Sequence, residues 1–131
     1  MGLGAYLSGR SHRDLYLAER ARELEKLIAR QHAARDATSG LTELEAALKS
    51  EAAGSLETEQ RADGKEADAI ATELEARQDE RAQSAVAKVR EGESEIYASA
   101  EALHRELADE AGAAIERDIA HLEEALKLLR G

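Results

Sequence analysis

The chain contains no proline in 131 residues, and its aliphatic side chains return at intervals of three and four. Proline is the strongest interrupter of helices, and three-four spacing gathers apolar groups on one helical face. Both properties together predict an all-α fold of long amphipathic helices. There is no Phe or Trp and aromatic content is 2%, so the 43% hydrophobic fraction rests on Leu, Ile, Val and above all Ala. Alanine is the best helix former and a weak core filler, which implies a thin core. An isolated amphipathic stripe is not stable in water. The chain is therefore expected to fold back as an antiparallel helical hairpin or bundle, or to pair with another helix as a coiled coil. A folded-back subunit that dimerises combines the two.

Boundaries follow from glycines and caps. Residues 1–131 read as one helical domain whose residues 1–10, with Gly2, Gly4 and Gly9, form an irregular arm. Ser11 caps a first helix over 11–37, with Asp14 in its first turn favoured by the helix dipole. Thr42 and Glu45 fit a capping box at the start of a second helix over 42–53. Residues 54–66, with Gly54, Gly64 and Leu56 as their one large apolar residue, read as a weak helix or hinge. A third helix is expected over 67–91, a turn near Gly92, and a fourth helix over 94–130 capped by Ser94. In that last helix Ile96, Ala100, Leu103 and Leu107 alternate four and three, the heptad seam. Leu107, Ala111, Ile115 and Ile119 then step by four before Leu122, Leu126 and Leu129, which reads as a stutter.

A formal net charge of -10 argues against nucleic acid, whose phosphates require clustered Lys and Arg. Cations, basic segments or simple solubility account for such a balance. The absence of Cys removes disulfides and thiolate chemistry. No run approaches the ~18 apolar residues of a membrane span, and the first ten residues lack a signal-peptide core. A cytoplasmic protein is expected, with a homo-oligomer or a helical protein as partner.

Two pairs carry the i, i+3 carboxylate and imidazole spacing of helical metal sites: Glu101 with His104, and Asp118 with His121. That spacing puts both ligands on one face within reach of one ion. Glu93, Tyr97, Glu101 and His104 form a ridge beside the seam, where a carboxylate needs a cation or an Arg or Lys partner. Glu19 and Glu23, four apart on the first helix, repel unless a cation bridges them, and Arg22 and Lys26 lie close enough to neutralise them. Magnesium favours such carboxylate oxygens, while iron and zinc accept mixed sets with imidazole. No nucleophile elbow, dinucleotide loop or phosphate loop occurs, so an enzyme is not expected.

Met1-Gly2-Leu3-Gly4-Ala5-Tyr6-Leu7-Ser8, then Ser11, Arg13, Asp14, Leu15 and Tyr16 with Glu19 and Glu23 behind them, resembles the vacuolar iron transporter family. The resemblance covers about the first 25 residues, where the family's chain leaves its second membrane helix for a cytosolic helical domain. It implies a membrane-proximal N-terminus and a domain that binds iron and other divalent metals through glutamates, here Glu19 and Glu23, at a dimer interface. In composition the chain is also similar to the Ala/Glu/Arg helices of rotary ATPase peripheral stalks, which implies a structural coiled-coil module instead.

Overall fold

The computed structural model describes residues 2–131, with side chains from His12 onward. Its elements are α1 (Gly2–Gly40), α2 (Ala46–Glu75), α3 (Glu80–His104) and α4 (Ala108–Arg130), with one 3-10 turn at Leu41–Glu43. The helices pack on one another as an all-α bundle. Among the described residues, no helix is long and apolar enough to cross a membrane.

Several expected boundaries move, each for a local reason. The arm expected over 1–10 is, from Gly2 onward, the beginning of α1, so Ser11 lies inside a helix rather than capping one. Met1 is outside the described residues, as are the side chains of Leu3, Tyr6, Leu7 and Ser11. At its other end α1 continues to Gly40 instead of stopping at residue 37. Thr38 and Ser39 keep it going by donating their hydroxyls to the carbonyls of Ala34 and Arg35, at 2.7 and 3.1 Å. This is the back-bonding that lets such residues sit inside helices. The capping box at Thr42 does not form: Thr42 donates to the Ser39 carbonyl at 3.3 Å, and α2 begins after Glu45.

No hinge occurs over 54–66, because α2 runs through it without a break. The second turn falls at residues 76–79 rather than near Gly92. There the Asp79 carboxylate accepts from the backbone N–H of Arg81 at 2.8 Å and of Ala82 at 3.3 Å, capping α3. Gln83 closes the turn by donating to the carbonyls of Glu75 and Arg77. The expected fourth helix over 94–130 is divided as well. Glu106 takes a left-handed φ of 59°. The Leu107 N–H then bonds the Ala102 carbonyl and the Glu106 N–H that of Leu103, at 2.8 and 3.0 Å. That pair of bonds is a Schellman closure, here with Glu in the place Gly usually takes.

The start of α3 lies beside the end of α4, where Arg81 donates to the Leu128 and Leu129 carbonyls. Further along, Gly92 faces Leu122, and Leu103 packs with Ala111. Gly92 is therefore a close-approach residue inside α3, not a turn.

All four helices bury heptad-spaced seams, and the seams include polar residues. In α2 the buried positions Ala53, Leu56, Gln60, Asp63, Ala67, Ile70 and Leu74 alternate three and four. In α4 Ala111, Ile115, Asp118, Leu122, Ala125 and Leu129 alternate four and three without interruption. The stutter is not needed once Asp118 is admitted to the seam. Leu107, expected inside it, is 40% exposed at the helix junction. Leu15, Leu44 and Leu48 are exposed too. The seam residues Leu103, Leu122 and Leu129 are buried within a single chain.

The core has a main apolar region holding Leu24, Leu27, Ile70, Leu74, Val89, Ile96, Leu122 and Leu129. A smaller one holds Leu41, Leu56, Leu103 and Ala111. Between them the same four seams place polar side chains.

Candidate functional site

Arginines organise the acidic surface. Arg20 of α1 is mostly buried and meets three carboxylates: Glu19 at 3.5 Å, Glu23 at 3.3 Å, and Glu73 of α2. Tyr16 supports it, with the Arg20 and Arg77 guanidinium carbons 5.0 and 4.1 Å from the ring centre. The Tyr16 hydroxyl donates to the Glu73 carbonyl at 2.8 Å. Arg90 of α3 likewise gathers Asp68 and Glu75 of α2 and Glu93 of its own helix. Those three carboxylates raise the Arg90 pKa further above its already high ordinary value.

The sequence-predicted ligands fall in the Arg20 network and in a separate one around Arg61 and Glu57. Glu19 and Glu23 do share one cation, and it is Arg20 rather than Arg22 or Lys26. Glu101 and His104 do not converge on a common point. Glu101 pairs with Arg105 at 3.2 Å and with Arg61 of α2 at 3.6 Å. His104 Nδ1 meets Glu57 of α2 at 3.2 Å. The hydrogen bond from Arg61 holds the Glu57 carboxyl below its ordinary range, and His104 adds to the effect. In the ridge, Glu93 binds Arg90, and the Tyr97 ring lies against Gly64, where an added Cβ would come within 2.7 Å. The ridge thus faces α2 and is neutralised by arginine along its length. Of the second spacing pair, His121 meets Glu91 of α3 at 2.9 Å, while Asp118 points the other way, into the core. Among the described residues, no three His, Asp or Glu side chains are placed to hold one metal ion.

The polar layer inside the bundle is the part that sequence reasoning missed. Gln31 of α1 donates to Gln60 Oε1 at 3.1 Å and to Asp63 Oδ2 at 2.8 Å. Gln60 of α2 donates to Gln31 Oε1 at 2.8 Å and to the Ser99 hydroxyl of α3 at 2.9 Å, and Ser99 donates to the Ile96 carbonyl. Both amide groups therefore use both of their N–H donors. Asp63 also accepts from Arg30 Nε at 3.0 Å; burial nevertheless raises its pKa. The fourth helix contributes Asp118, which is fully buried, and among the described residues neither of its oxygens has a hydrogen-bond partner. Burial pushes its carboxyl up to about 8, with Glu95 and Asp63 adding to the rise. The signal for these residues was present in the sequence as unbroken heptad spacing. Reading seams from apolar residues alone passes over it.

Between α1 and α2 an open groove of about 480 Å³, lined by Ala33, Ala34, Ala37 and Leu56, reaches Gln60 and Asp63. Comparison of the chain with known protein families, with curated proteins and with solved structures gives no match.

Proposed function

We propose that this chain is a non-catalytic structural module, scaffold- or stalk-like, in which the four helices run in alternating directions. It offers its outer faces to a helical partner or a second copy. The observation that carries this reading is the use of the acidic residues. Three carboxylates close on Arg20 and three on Arg90, and both sets tie α2 to a neighbouring helix. Exposed ion pairs contribute little singly, and networks sharing one arginine contribute more than isolated pairs. The arginines supply the positive charge that these carboxylates require.

Binding of divalent metal, as the iron-transporter resemblance implies, is the second reading. Its support is the arrival of Glu73 beside Glu19 and Glu23. Calorimetry with Mg²⁺, Zn²⁺ and Fe²⁺ separates the two. The structural reading expects no saturable uptake by wild type, and gain of uptake in Arg20→Ala, which leaves the three carboxylates without their guanidinium. Saturable wild-type binding that disappears in a Glu19→Ala, Glu23→Ala variant would establish the metal reading instead.

A further inference from the structure

Asp118 stands out among the buried polar groups. Its heptad position between Ile115 and Leu122 directs it into the core, it is 0% exposed, and both carboxylate oxygens lack partners among the described residues. Gly92 of α3 closes over this turn of α4. A Cβ built there would lie 2.6 Å from Leu122 Cδ2 and 3.5 Å from the Asp118 carbonyl oxygen, so the helices leave no room to turn the side chain outward cheaply. The charged groups facing it from the other helices are already engaged. On α3, Glu95 pairs with Arg117 at 2.9 Å and Glu91 with His121 at 2.9 Å. On α2, Asp63 is held by Arg30 and Gln31 of α1. Among the described residues no cation meets the Asp118 carboxyl, and its acidic neighbours Glu95 and Asp63 disfavour its ionised form.

We propose that Asp118 is a proton-dependent latch: the bundle closes over its neutral carboxylic acid, and ionisation of that acid loosens the packing of α4 against the other helices. An unpaired buried carboxylate is far more costly than a neutral acid in the same place. The unfolded chain ionises Asp118 near the ordinary aspartate value of about 3.9, whereas the folded chain retains the proton up to about pH 8. Across that window the native state binds one more proton than the unfolded state, so stability falls as pH rises and levels off above the folded pKa. A substitution at Asp118 separates its share from that of any other titrating group.

The test is denaturant unfolding of wild type and Asp118→Asn between pH 5 and pH 9, combined with carbon NMR titration of the Asp118 carboxyl in wild type. One linked proton makes the wild-type unfolding constant rise by up to about tenfold per pH unit below pH 8. The Asn variant should lose that part of the slope and resist denaturant better than wild type at pH 8. The carboxyl resonance should titrate near pH 8. Identical slopes in the two proteins, or a carboxyl that titrates in the ordinary aspartate range, would overturn the proposal. The NMR measurement uses wild type alone and decides the matter even if the variant does not fold.

Discussion

Glycine has opposite meanings at two places in this chain, and its local sequence does not distinguish them. Gly54 has open space where a Cβ would stand, whereas at Gly92 a Cβ would meet the buried Leu122 side chain at 2.6 and 2.9 Å. Gly54→Ala should therefore stabilise the bundle by up to about 1 kcal/mol, through helix propensity alone. Gly92→Ala should destabilise it by about 1–3 kcal/mol, because Leu122 must leave its rotamer or the helices must separate. Thermal unfolding of both variants checks the contrast; equal effects would mean that α3 and α4 do not approach closely at Gly92. Asp118 gives a similar lesson. It was legible as half of a spacing pair with His121, yet its charge kept it out of the seam and a stutter had to stand in for it. Once the residue is placed by spacing instead of polarity, the α4 pattern is regular.

At the scale of elements, the sequence announced helices clearly and their ends poorly. No Gly or Pro marks the turn between α2 and α3, so the third helix expected over 67–91 runs straight across it. The stop is made by the Asp79 cap, by the Gln83 side chain, and by Arg13 of α1, which reaches Asp79 Oδ2 at 2.6 Å. The last of these is a tertiary contact that local sequence cannot reveal. Asp79→Ala should cost about 1 kcal/mol as the loss of an N-cap. Burial alone would raise the Asp79 pKa, but the N–H groups of Ala82 and Arg81, with Arg13, bring it below the ordinary value. A carboxyl depressed in the folded state contributes stability above its unfolded pKa and loses it as pH falls through the folded one. The gap between wild type and Asp79→Ala should accordingly be full at neutral pH and close in acid below about pH 4. A gap that is constant down to pH 2 would show that the carboxylate is not what caps α3.

For the whole molecule, fold class was legible because helical period and the absence of proline act along the entire chain. The candidate site was less so. Glu19 and Glu23 were identified as carboxylates in need of a cation, and the structure supplies one from Arg20, with Glu73 arriving from near the far end of α2. That arrival depends on how α1 lies against α2, which spacing within one helix does not encode. The same arrangement bears on self-association. The seam residues that a coiled-coil pairing would use, Leu103, Ala111, Ile115, Leu122 and Leu129, are instead buried within their own chain. Pairing that leaves these seams intact must use outer faces, where Leu15, Leu44, Leu48 and Leu107 are exposed. An obligate dimer has a stability that depends on protomer concentration. Here the helical circular dichroism signal and the thermal midpoint should stay unchanged from low to high micromolar protein, even if sedimentation detects association at the upper end. A midpoint that climbs steadily with concentration would show that the seams are completed between chains, and would return the bundle to the coiled-coil pairing that its sequence first suggests.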